Sequence, residues 1–212
     1  MSKAFKTHSW FKHYSKGLYI RKVRTQDYRA SSVFVLKSIE GKYNLIENCV
    51  TILGLGTAPG CWVQYVLEVK KKTSGTYKVV AIDKMPMEYI NEVCFINGEY
   101  TDCNTQTRLE VEMGMGLNTK HSKFSLILAD VCASVPRDRC IVKTVLESIK
   151  SMLAFVTRFL SKKGLLLYRF FPQYQTAIRA WFRYCFRYII SIWVASTRER
   201  NGSSAMYVLC SC

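Results

Sequence analysis

Three carboxylates, Asp83, Glu99 and Asp130, each follow a short apolar run, and a glycine-rich turn precedes the first of them. That turn, Gly54-Leu55-Gly56-Thr57-Ala58-Pro59-Gly60-Cys61-Trp62, is entered from the β-branched run Val50-Thr51-Ile52-Leu53 and left through Val63, Val66 and Leu67 at helical spacing. A strand, a tight turn and a helix start in that order let backbone N–H groups approach a nucleotide-like ligand. The same order also simply closes a βα unit, and Gly60 comes one residue late for the dinucleotide pattern G-x-G-x-x-G. An acid about 20 residues or more past such a turn accepts hydrogen bonds from ribose hydroxyls. An acid at a strand end also serves purely local capping.

These residues meet only if strand ends converge. The pattern predicts a helix over 30–47 with Ser31 or Ser32 at its start and a break near Gly41, then a strand over 49–54 and a helix over 60–70. Val79-Val80-Ala81-Ile82 reads as a strand buried on both faces and ending on Asp83. Further strands are expected over 93–97, 124–129 and 165–170, the last opened by Gly164, with a weak helix and loop over 103–121. Helices over 139–162 and 173–187 and strands near 188–195 and 205–211 complete the reading. The fold class is α/β, a mostly parallel doubly wound sheet with an antiparallel strand near the C-terminus. Ligands of such sheets sit beyond the C-terminal strand ends, where Gly56, Asp83, Glu99 and Asp130 all fall.

The length of 212 residues suits one domain, and 49% apolar residues argue against disorder. A formal net charge of +16 predicts a polyanionic partner, RNA or an RNA–protein particle, with an anionic membrane surface as the competing reading. Against insertion, no apolar run reaches the roughly 18 residues that a membrane helix needs. The nine cysteines show no paired C-x-x-C spacing, which predicts buried thiols in a reducing intracellular compartment and no metal site. Residues 1–29 form a basic, aromatic arm ahead of a 30–212 domain. Lys12, Lys16, Arg21, Lys22, Arg24 and Arg29 are candidate RNA contacts, interleaved with Trp10, Phe11, Tyr14, Tyr19 and Tyr28. An amphipathic segment docked on the domain gives the same pattern. No secretory signal is visible. The acid-poor start suits a mitochondrial transit segment as well as an RNA-binding arm, so the expected location is mitochondrial or else nucleolar or cytoplasmic. The run Trp181 to Tyr188 reads either as an interface or as a helix with a buried aromatic side and an exposed basic one.

The longer string Leu-Gly-x-Ala-Pro-Gly-x-Trp, here Leu55 to Trp62, resembles the cofactor loop of the FtsJ/RrmJ family of S-adenosylmethionine-dependent ribosomal RNA 2′-O-ribose methyltransferases. Asp83-Lys84-Met85-Pro86-Met87 is similar to that family's Asp-x-x-Pro-Met, and Phe95 to Glu99 to its Phe-x-x-Gly-Asp with Glu for Asp. Leu128-Ala129-Asp130 matches the acidic end of its fourth strand. The resemblance implies a Rossmann-like methyltransferase fold and a pocket for S-adenosylmethionine. It assigns cofactor-binding roles to Gly54, Gly56, Ala58, Pro59, Gly60, Trp62, Asp83, Met85, Glu99 and Asp130. It also implies RNA, chiefly ribosomal, as partner, with ribosomal or assembly proteins alongside.

The same resemblance brings a Lys-Asp-Lys-Glu catalytic tetrad into question. Its first lysine falls at Val35, its aspartate at Asp130, its second lysine at Arg169 and its glutamate at Ala205. Ribose methylation needs a base to take a weakly acidic hydroxyl proton. Arginine cannot lose its proton in the accessible range, and neither Val35 nor Ala205 carries a polar side-chain group. Gly54 stands where the family has an aspartate near the cofactor's ammonium. The expectation is therefore a catalytically inactive, RNA-binding member, with Arg169 either holding phosphate or ion-paired to Asp130. An active methyltransferase rearranged around Asp130 is the alternative.

Overall fold

The computed structural model describes residues 26–114, 123–131, 140–170, 175–186, 188–194 and 206–211. The expected RNA contacts at Lys12, Lys16, Arg21, Lys22 and Arg24, and the tetrad position at Ala205, lie outside the described residues. In chain order the elements are α1 (Val33–Tyr43), β1 (Thr51–Leu55), α2 (Cys61–Lys70), β2 (Lys78–Asp83), β3 (Val93–Asn97) and α3 (Cys103–Met113). They continue with β4 (Phe124–Ala129), α4 (Cys140–Phe159), β5 (Leu160–Phe170), α5 (Gln175–Cys185), β6 (Tyr188–Val194) and β7 (Met206–Ser211). One sheet of seven strands runs β3-β2-β1-β4-β5-β7-β6. The first five strands in that order pair in parallel, and β7 lies antiparallel to both β5 and β6.

Strand alternation divides the core into two apolar layers. Leu53 and Leu55 of β1 face a cluster built with Leu109 of α3, Phe155 and Phe159 of α4, and Phe182 of α5. Ile52 faces the other side, with Leu36 and Ile39 of α1 and Trp62 and Val66 of α2. Burial on both faces is why β1, β2 and β4 read as continuous apolar runs. The chain moves outward from β1 through β2 to β3, and on the other side from β4 to β5. The order therefore reverses at the β1–β4 seam, which opens a crevice at the strand ends. The Asp130 N–H donates to the Leu55 carbonyl at 2.9 Å and closes that seam at its top.

Several boundaries depart from the sequence reading. Gly41 lies inside α1, and the helix stops at Asn44, whose left-handed φ of 49° ends it. Ser32 holds the N-cap position, but its hydroxyl makes no capping bond and lies 3.1 Å from the Cys61 thiol. The segment expected to be a weak helix contains a capped one, because the Asp102 side chain accepts the Thr105 N–H. β5 begins at Leu160, which pairs with Phe124, and Gly164 falls within the irregular stretch where the register shifts. Tyr28 and Arg29, assigned to the arm, are bound into the domain: Tyr28 donates to Glu68, and the Arg29 N–H donates to Gln64. Among the described cysteines, Cys49, Cys61 and Cys210 are buried as expected, whereas Cys103 is exposed. No helix among the described residues is long and apolar enough to cross a membrane. No metal-binding cluster occurs among them.

Candidate active site

A cavity of about 530 Å³ opens over the ends of β1, β2, β4 and β5, with α4 as its far wall. That volume falls in the range of pockets that hold small organic ligands. Gly56, Ala58, Asp83, Glu99 and Asp130 all line it, as do Tyr168 and Arg169. Five residues from four separate segments are thus brought together as the motifs predicted.

Gly56 sits at φ 69°, a conformation that side chains disfavour. A Cβ there would lie 2.8 Å from the Asp130 carbonyl oxygen. Glycine keeps the β1–β4 seam closed and leaves the cavity floor open. Asp83 ties the turn to β2: its carboxylate accepts the Ala58 N–H at 2.7 Å on one oxygen and the Met85 N–H at 2.8 Å on the other. Each oxygen retains a second acceptor direction. Glu99 stands at the mouth, 58% exposed and 3.7 Å from Lys84, a pair of small energetic weight.

The strongest charge interaction of the cavity joins β4 to β5. Arg169 Nη1 donates to Asp130 Oδ1 at 3.0 Å, with only 11% and 18% of the two side chains exposed. The Arg169 guanidinium thus holds the Asp130 carboxylate by a charge-assisted hydrogen bond. Of the two alternatives for Arg169, the ion pair is the one the structure contains. Val35, expected at the first tetrad position, is buried in the apolar layer that α1 and α2 form against the sheet. The Lys37 ammonium, two residues on, lies 4.4 Å over the Tyr28 ring and 3.8 Å from Glu68.

Other expected site residues make contacts within the fold. Trp62 is buried, its indole N–H donates to the Ser32 carbonyl at 3.2 Å, and its ring leans on Tyr207. Gly60, at φ 108°, leaves room for Met87, Ile90 and the Arg29 guanidinium. Arg29, expected at RNA, directs that guanidinium to the carbonyls of Pro59, Glu88 and Tyr89. Gly54, Pro59 and Trp62 border a smaller space of about 20 Å³ that shares Gly56, Ala58 and Asp130 with the main cavity, and Met85 contributes its N–H to Asp83. A Cβ at Gly54 would meet the Thr57 methyl at 2.3 Å, so the space where a side chain of residue 54 would point is filled. Cys61 also borders the small space, and burial pushes its thiol up to about 11, so it is protonated at neutral pH. Sequence reasoning missed the α4 wall, Glu147, Ser148, Ser151 and Met152, which amphipathic periodicity alone does not distinguish from a solvated face.

The fold and cavity define an α/β protein with an open cavity at the topological switch, in a methyltransferase fold. Residues 28–212 match the FtsJ-like methyltransferase family, and the chain belongs to it. A ribosomal RNA large subunit methyltransferase E of Tremblaya princeps is 26% identical over 206 residues, 97% of this chain and 98% of that one. The protein of the same name from Legionella pneumophila (strain Corby) is 34% identical over 109 residues, 51% of this chain and 52% of its own length. Among solved structures, a putative ribosomal RNA methyltransferase from Plasmodium falciparum superposes with a TM-score of 0.69 at 23% identity, covering 87% of this chain and 97% of that one. Magnesium protoporphyrin IX methyltransferase from Synechocystis, with bound S-adenosylmethionine, gives 0.57 at 13% identity over 95% of this chain and 88% of its own. At these identities the two structures share the fold alone.

Proposed function

We propose that this chain is an RNA-binding member of the FtsJ-like family that does not methylate ribose, and that it works on ribosomal RNA within a ribosome or an assembling particle. The single observation that carries the reading is the Arg169–Asp130 pair, 3.0 Å apart inside the cavity. At the position where the family's base would stand there is a cation that cannot accept a proton. Val35, turned into the core, leaves the first lysine unreplaced. The net charge of +16 and the RNA named for the relatives support an RNA partner, and the basic, acid-poor N-terminal sequence is compatible with a mitochondrial setting.

The fit for S-adenosylmethionine divides. Asp83 and Glu99 offer carboxylates for a ribose and an adenine amine, and Gly56 gives an open floor. When bound, that cofactor supplies an activated methyl group. Toward its amino-acid end, residue 54 brings no carboxylate, and Thr57 and Val63 occupy the space. The open cavity of about 530 Å³ is the observation that favours the second reading, an active methyltransferase organised around Asp130.

Incubation of the full chain with labelled S-adenosylmethionine and ribosomal RNA tests the choice. Label in RNA that Asp130→Ala abolishes supports the enzyme, and its absence together with measurable RNA binding supports the proposal.

A further inference from the structure

Helix α5 has an unusually one-sided surface. Its inner stripe, Ile178 and Phe182 with Phe186 just beyond its end, is buried in the layer it shares with α4 and the sheet. Its sequence, QTAIRAWFRYC, contains two arginines and no acid. Arg179 and Arg183, one helical turn apart, are both exposed, and Tyr184 is 92% exposed. At the edge of this face Trp181 is half-buried, with the Lys150 ammonium of α4 5.0 Å from its ring centre. Lys150 stands between Ser148 and Ser151, which line the cavity, and Phe170, the last residue of β5 before α5, lines it too. The basic, aromatic face therefore spans α5 and α4, and α4 also walls the cavity. The one described acid close to it in sequence is Glu147, on the cavity side of α4.

We propose that this face of α5, continued by Lys150, is the track on which an unpaired RNA strand lies as it approaches the cavity. In this arrangement Lys150, Arg179 and Arg183 meet phosphates and Tyr184 stacks on a base; the inference rests on the RNA reading above. Exposed basic groups and an aromatic ring are the two components of a single-strand platform. A membrane surface is a poor match, because the apolar side that would insert is already buried in the core. A protein partner is a poor match as well. One exposed tyrosine among arginines is far from the contiguous apolar centre of a stable interface.

The test uses the full chain and a fluorescent single-stranded RNA of mixed sequence, with Kd measured between low and moderate salt, and a fully paired RNA as control. Far-ultraviolet circular dichroism and the thermal midpoint verify that the exposed-site variants fold. For Arg179→Gln with Arg183→Gln, the slope of log Kd against log salt should become shallower by about 0.7 for each phosphate left without its arginine, about 1.4 in total. Tyr184→Ala should weaken single-strand binding about 5-fold or more, leave the salt slope unchanged and spare the duplex. If the wild-type chain binds RNA and these variants bind it equally well with the same slope, the track is wrong and the RNA reading stands. If the variants instead lose a salt-insensitive attachment to a protein, the face is a protein interface and the proposal is overturned. A wild-type chain that binds no RNA overturns both.

Discussion

Arg169 reaches from β5 across the cavity floor and donates through Nη1 to Asp130 Oδ1, 3.0 Å away at the end of β4. The two residues are 39 positions apart in sequence and meet because β4 and β5 pair in parallel. The pair ties the ends of two neighbouring strands together through a charge-assisted hydrogen bond that is mostly shielded from water.

Breaking the pair from one side should destabilise the fold. Arg169→Ala removes a guanidinium from a carboxylate that is mostly shielded from water, at an expected cost of about 2 kcal/mol, below the full penalty of a wholly buried pair. Replacing both residues by leucine should cost less than either single change, since no charge is then stranded. Urea denaturation of the two single variants and the double variant measures the difference.

The turn itself offers a contrast between two glycines. Gly56→Ala puts a Cβ 2.8 Å from the Asp130 carbonyl at a left-handed φ and should cost about 2 kcal/mol or more. Gly41→Ala lies inside α1 with nothing within 4 Å of the new methyl, and should stabilise by about 0.5–1 kcal/mol. Thermal unfolding midpoints should move in opposite directions.

Asp83 should act through the turn as much as through any ligand. Asp83→Asn retains the shape but exchanges an acceptor for an amide donor facing the N–H of Ala58 or Met85. A loss of about 1–3 kcal/mol is expected. Faster amide exchange over residues 56–60, read by mass spectrometry, would trace it to the turn.

Alkaline pH provides a further check. Burial raises the Cys61 thiol from its ordinary value near 9 to about 11. The folded state then holds a proton that the unfolded state releases, so the contribution is intact below about 9 and is lost as pH climbs toward about 11. The wild type should lose stability across that window more steeply than Cys61→Ala. Below pH 8 a thiol reagent should label exposed Cys103 and leave Cys61 untouched until unfolding.

The features legible in the sequence are those set by local periodicity. β3 and β4 coincide with their apolar runs, and the carboxylates at strand ends fall on one cavity because a parallel sheet gathers such ends. Gly41 and Gly164 misled. Glycine marks a break by its local cost, yet α1 carries Gly41 on its exposed side while Val33, Leu36 and Ile39 pack the helix, and Leu160 finds Phe124 before Gly164 is reached. The contacts that Arg29 and Trp62 make within the fold were not legible, because the carbonyls of Pro59, Glu88, Tyr89 and Ser32 that hold these side chains lie about 30 to 60 residues away in sequence.

Whether this chain methylates RNA is tested most directly by transfer of labelled methyl from S-adenosylmethionine to ribosomal RNA by the full chain, run beside an RNA-binding titration and an Asp130→Ala control. RNA binding with no label above the protein-free blank is the expected result. Incorporation that the wild type performs and Asp130→Ala abolishes would contradict it, and would make Asp130 the working residue of an active methyltransferase.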